Sequence, residues 1–115
     1  MQSYQLFINT SQNIKIQIGK LGFFTFPKGT YVYTGSAKKN IDTRIARHLS
    51  RHKNFHWHID YLLANDQFKI IKVTKSKISE CDLNAEVKGK IIVKGFGSTD
   101  CKENCGSHLK YISDY

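Results

Sequence analysis

Proline is almost missing from this chain: Pro27 stands alone among 115 residues. There is also no internal repeat, low-complexity tract or linker, so the sequence reads as one domain over residues 1–115. No apolar run approaches the roughly 20 residues of a membrane-spanning helix. The opening MQSYQLFINTSQN has no basic stretch ahead of a hydrophobic one, which excludes the pattern of a secretory signal. Three cysteines are an odd number, and without an export signal they read as reduced thiols in a cytoplasmic protein. Acidic residues are scarce in one half only. Residues 1–58 set nine Lys and Arg against Asp42 alone, whereas residues 59–115 set nine Lys against eight acids.

A net charge of +9 distributed in that way favours a polyanion. An anionic membrane is one such partner, but no strongly amphipathic surface helix is evident. Nucleic acid therefore leads, DNA ahead of RNA, with no membrane. General solubility charge is the bland alternative. A composition of 40% hydrophobic and 12% aromatic residues is enough for an ordinary core.

Strand signals come first. YQLFI reads as a strand, NTSQN as a turn, and IKIQI alternates strictly, with Ile14, Ile16 and Ile18 on one face; together they predict a hairpin. LGFFTF is extended, Pro27-Lys28-Gly29 is a turn, and TYVYTG is a strand with Tyr31 and Tyr33 on one face. Asn40 is placed to cap a helix from Ile41 whose buried stripe is Ile41, Ile45 and Leu49. Arg44, His48 and Arg51 then fall on one flank of that stripe, and Arg47 points further out. FHWHIDYLLAN predicts a short helix, FKIIKVT a strand, SECDLNAEVKG a helix capped by Ser79 with Leu83 and Val87 inward, and KIIVKGFG a strand. The remainder is irregular apart from HLKYI. This order predicts an α+β domain, a small, mainly antiparallel sheet flanked by helices.

The segments QSYQLF, GTYVYTGSA, RIARHLSRHKNFHWHIDYLL, ECDLN and GFGSTDC with its following Cys and His-Leu span nearly the whole chain. Together they resemble the GIY-YIG nuclease superfamily, in its compact, single-domain Uri-type branch. The resemblance implies a GIY-YIG-like fold, one catalytic metal and cleavage of nucleic-acid phosphodiester bonds. Tyr4 looks like the tyrosine of the first motif and Tyr33 like that of the second; Tyr31 is a rival for the first. Gly35 resembles the motif glycine, Arg44 the helix arginine, His48 the histidine one turn on, and Glu80 the metal-binding glutamate. The first motif here reads Gln2-Ser3-Tyr4, without glycine or isoleucine, and a hairpin precedes the second.

Phosphodiester hydrolysis needs an activated water and a neutralised transition state, and these residue types suit it. A tyrosine accepts a proton from water if cations or a metal lower its pKa. The planar fork of Arg44 holds two phosphate oxygens. Glu80 offers a hard oxygen to Mg²⁺ or Mn²⁺, which needs few protein ligands. Gly35 permits a tight backbone, and His48 relays a proton or contacts phosphate. Tyr31, Gly35, Ser36, Lys38, Lys39, Arg47, Arg51 and His52 form the candidate nucleic-acid face.

Cys81, Cys101, Cys105 and His108 raise a separate choice between a closed structural Zn²⁺ site and buried thiols. Three functions follow: a metal-dependent endonuclease, a nucleic-acid-binding module without turnover, and a zinc-stabilised domain whose basic face binds acidic protein. Each is compatible with a monomer or a weak homodimer.

Overall fold

Strand charge decides strand position. The run Gly29–Ala37 (β4) carries no charged residue, and it lies in the middle of a five-stranded sheet. Its neighbour Gln2–Thr10 (β1) is also uncharged and pairs antiparallel along the full length of β4, Tyr4 opposite Gly35 and Leu6 opposite Tyr33. Lysine-bearing strands lie outside them: Lys69–Ser76 (β5) beyond β1, and Leu109–Ser113 (β7) and then Lys90–Ile91 (β6) beyond β4. The order β5-β1-β4-β7-β6, antiparallel throughout, is that of a small α+β domain. These coordinates are a computed structural model, which describes residues 2–37, 40–50, 58–93, 96 and 107–113.

The expected hairpin of YQLFI with IKIQI does not form. Ile14–Ile18 (β2) pairs instead with Gly22–Phe26 (β3) in a separate two-stranded sheet. Glycine explains the choice. Gly19 (φ +48°) and Gly22 (φ +117°) bracket the 3₁₀ turn Gly19–Leu21, and both adopt a left-handed backbone that other residues resist. The Thr10–Asn13 connection has no glycine and serves as a crossover, with Asn13 Oδ1 accepting from the Lys28 N–H. The isoleucine face is as expected: Ile16 and Ile18 are buried.

Among the described residues three helices flank the sheet: Ile41–Leu49 (α1), His58–Leu63 (α2) and Glu80–Ala85 (α3). The core gathers Tyr4, Leu6, Ile8, Tyr31 and Tyr33 from one sheet face with Ile41 and Ile45 of α1, Ile59 and Leu62 of α2, and Ile18 and Phe26 of the hairpin. The opposite face meets α3. Ser3 donates to the Ile78 carbonyl, and Lys110 reaches the carbonyls of Asn84 and Val87, where a cation suits a helix C-terminus.

Two features of α1 differ from the sequence pattern. Leu49 is 54% exposed, and His48, at 2%, takes its place in the buried stripe with Ile41 and Ile45. The helix ends at Leu49, so that residue clears the sheet, while His48 sits one turn from Ile45 and finds a polar partner inside. Asn40 precedes the helix but makes no side-chain cap bond; it occupies the left-handed region (φ 56°), which asparagine tolerates. In α3 the expected cap is present, Ser79 Oγ accepting from the Asp82 N–H at 3.2 Å. That helix ends before Val87, and the strand expected over residues 90–97 is only two residues long where described.

Candidate active site

The site begins with a close approach of two strands. A Cβ on Gly35 would lie 2.5 Å from both Cζ and the hydroxyl of Tyr4, its cross-strand partner. Glycine is therefore required for the Tyr4 ring to lie across β4. The ring has nowhere else to go, because it is buried and its hydroxyl meets His48 Nε2 at 2.7 Å. Gly35→Ala is expected to cost about 1–3 kcal/mol through overpacking. A urea titration of the variant with an unchanged midpoint would mean that the Tyr4–His48 contact is looser than this.

Tyr33 lies beside the same histidine, ring centroids 6.0 Å apart and edge-on, with Phe96 on another side. Tyr4 and Tyr33 come from adjacent strands, and His48 comes from α1 at the position the helix turns inward.

The cationic and anionic parts meet near Ser36. Arg44 Nη1 donates to the Ser36 carbonyl at 2.6 Å, and the Ser36 side chain lies near enough to Glu80, the first residue of α3, to favour its ionised form. The Glu80 side chain is 28% exposed. Burial pushes its carboxyl above the usual range, opposed by nearby Ser36 and the Arg44 charge. His108 Nδ1 lies 3.6 Å from Glu80 Oε1. The His108 backbone is held by two strand-like bonds, its carbonyl accepting from Thr34 N–H and its N–H donating to the Phe96 carbonyl.

The tyrosines differ from what water activation by a lowered phenol pKa would need. Burial raises Tyr4, Tyr31 and Tyr33 above the ordinary phenol range, and the Arg44 charge does not reverse this at Tyr4 or Tyr33. All three are neutral donors at physiological pH. A stability consequence follows with a definite sign. Each phenol ionises near pH 10 when unfolded and higher when folded, so unfolding releases protons and stability is lost as pH rises through 10. Three such groups set a limit of about 4 kcal/mol per pH unit. Denaturant unfolding at a series of alkaline pH values checks this, and a slope corresponding to less than one proton would contradict it.

Several expected site residues lie elsewhere. Tyr31 packs with Phe26, Phe68 and Tyr111, and its hydroxyl donates to the Pro27 carbonyl, so it belongs to the core and not to the group around His48. Arg47 does not point outward as a phosphate contact. Its guanidinium grips Asp60 with two bonds of 2.8 and 3.0 Å, and Asp60 is fully buried. A buried carboxylate without a cation would be strongly destabilising, which explains the commitment of Arg47. Lys38, Lys39, Arg51, His52, Cys101 and Cys105 lie outside the described residues, as does the Cys81 side chain.

Spacing alone missed three roles. Asp60 as the anchor of Arg47 was signalled only by an acid in the apolar run HIDYLL. Ser36 as the common neighbour of Arg44 and Glu80, and His108 as the neighbour of Glu80, had no local signal at all. His48 also borders a cavity of about 250 Å³ shared with Leu63, Phe68 and Ile70; neither Arg44 nor Glu80 lines it.

Among the described residues no three His, Cys, Asp or Glu converge as a metal cluster. A single partly exposed carboxylate fits a hard divalent ion that keeps most of its waters. It does not fit a closed tetrahedral zinc site.

Neither the curated proteins nor the solved structures compared with the chain gave a match. A match to a protein family, described as domain of unknown function DUF123, runs over residues 3–115, nearly the entire chain and every residue of the group just described. The chain belongs to the DUF123 family.

Proposed function

We propose that the protein is a metal-dependent endonuclease that hydrolyses nucleic-acid phosphodiester bonds. The observation that carries this reading is the 2.7 Å contact of Tyr4 with His48 beside Gly35, at the end of the sheet where Arg44 and Glu80 both lie near Ser36. A buried phenol is a poor base by itself. Paired with an imidazole it becomes a relay: Tyr4 oxygen takes the proton of the attacking water while its own proton passes to His48 Nε2. That step requires a neutral imidazole whose own proton is on Nδ1. Arg44, oriented by the Ser36 carbonyl, presents the planar fork suited to phosphate oxygens. Glu80 would hold Mg²⁺ or Mn²⁺, which when bound supplies positive charge to the phosphate oxygens. Tyr33 shapes the wall beside His48 and fixes its ring.

One observation favours a second reading. Tyr4 and Tyr33 are both buried, and substrate has to reach at least one hydroxyl. A nucleic-acid-binding module on this scaffold, without turnover, fits that burial. A screen of labelled single strands, duplexes, flaps and junctions with Mg²⁺, Mn²⁺ or chelator separates the two. Cleavage that needs the ion supports the enzyme; retained binding without cleavage on every substrate supports the module.

The basic charge of residues 1–58 and the lack of membrane-spanning pattern fit a cytoplasmic protein acting on DNA as a monomer or weak homodimer. No helix among the described residues is long and apolar enough to cross a membrane. A structural zinc held by Cys81, Cys101, Cys105 and His108 is tested by metal analysis. About one equivalent of zinc, lost together with stability in Cys105→Ser, supports it, and metal-free protein returns the thiols to the core.

A further inference from the structure

We infer that the β5 edge of the sheet is a docking track for a nucleic-acid backbone, leading into the Tyr4–Glu80 site; the track rests on the nuclease reading for its purpose but not for its existence. Between Asp66 and Glu80 the chain has no carboxylate and four lysines, Lys69, Lys72, Lys75 and Lys77, all exposed. The strands inward of them, β1 and β4, carry no charge. Asp42 of α1 pairs with Lys75.

Lysines three residues apart on a regular strand would face opposite ways. Here the pairing slips: Phe7 pairs with Lys72 but Ile8 with Ile70, so Ile71 is an extra residue in β5. The bulge returns Lys69 and Lys72 to one face, opposite Asn9 and Phe7. Lys72 is further held in place with its ammonium 5.2 Å over the Phe7 ring. Ile71, turned out by the bulge, is 61% exposed.

The track runs along the edge on both faces of β5, Lys69 and Lys72 on the side of Asn9 and Phe7 and Lys75 on the side of Tyr4. Lys69 to Lys75 spans about 20 Å at about 3.3 Å per residue, comparable with about six base-pair steps of a duplex. Its far end meets the site, because Lys75 pairs with Tyr4 and Ser76 with Ser3, and Ser79 then caps the helix that begins at Glu80. Cations spaced along one edge strand that ends at the register position of Tyr4 fit a charged polymer laid along that edge, and a flat membrane surface would not need that spacing.

Lysines on an edge strand also discourage edge-to-edge aggregation, and this plainer role makes a different forecast. The test uses the full chain carrying Glu80→Gln, so that cleavage does not interfere, with fluorescence anisotropy of a labelled DNA duplex over a salt series. Lys69→Ala with Lys72→Ala should weaken binding about tenfold and flatten the salt slope by about 1.5 to 2, one counterion per lost phosphate contact. Lys88→Ala with Lys90→Ala makes the same charge change at the other edge of the sheet and should shift affinity much less. Equal losses from both pairs would reduce the effect to net charge and overturn the track. So would an unchanged slope accompanied by aggregation, or a parent that does not bind DNA. With Glu80 restored, the Lys69/Lys72 variant should turn over bis(p-nitrophenyl) phosphate, too short to reach β5, as fast as the parent. A parent that binds through these lysines but cleaves nothing would remove the nuclease reading and leave the track standing.

Discussion

Glu80→Gln is expected to lower phosphodiester cleavage about a thousandfold or more while leaving the fold intact. Glutamine keeps the size of the side chain and an accepting oxygen, but removes the charge that a divalent ion needs. Binding of DNA in chelator should stay level or tighten, because an anion facing phosphate is gone. Stability supplies an internal check. Burial raises the folded pKa of Glu80, so the folded state holds its proton more tightly than the unfolded one. Stability tied to that group is present at low pH and lost as pH rises through the raised value. The variant should therefore melt no lower than the parent at neutral pH, and any advantage should shrink on acidification. A variant that cleaves as fast as the parent would mean that the ion is held elsewhere, and would cast suspicion of contamination on any activity measured.

Tyr4→Phe should reduce cleavage about 10²–10⁴-fold, the usual range for loss of a positioned acid–base group. The phenyl ring still lies across Gly35, so packing is kept; the lost hydrogen bond to buried His48 costs about 1–3 kcal/mol. His48→Ala should fall into the same range, and the double variant should be little worse than either single one, because the two side chains act as a unit. Tyr33→Phe should lose much less, since the contact in place is edge-on ring packing. Arg44→Ala should behave differently again and lose affinity together with rate. The decisive comparison is Tyr4→Phe against Tyr33→Phe in single turnover on folded protein. A collapse for Tyr33→Phe with normal rates for Tyr4→Phe would transfer the acid–base role to Tyr33.

The elements with local signatures were legible in the amino-acid order. IKIQI has a period of two and is a strand with its isoleucines inward. Ser79 lies three residues before Asp82 and caps α3 as its hydroxyl should. Ile41 and Ile45 are one helical turn apart and are buried together. The α+β class follows from such signals because propensity, period and capping act over a few residues.

Partner choice was not legible, because it is settled by surfaces that meet across long separations. IKIQI had two strands to choose from, and the left-handed glycines at 19 and 22 directed it to β3. Arg44 and Arg47 are both arginines on one short helix. One is oriented by the Ser36 carbonyl and the other is committed to Asp60, a distinction made only by which carboxylate α2 buries against α1. Tyr4 and Tyr31 were rivals for one role, and both project from the same sheet face. The antiparallel register of β1 on β4 puts Tyr4 over Gly35 and against His48, whereas Tyr31 is walled in by Phe26, Phe68 and Tyr111. Residue types and spacing carried the chemistry on offer. Which groups touch, which are desolvated and which way their pKa values move depended on packing, because desolvation and hydrogen bonding exist only once the chain has closed around them.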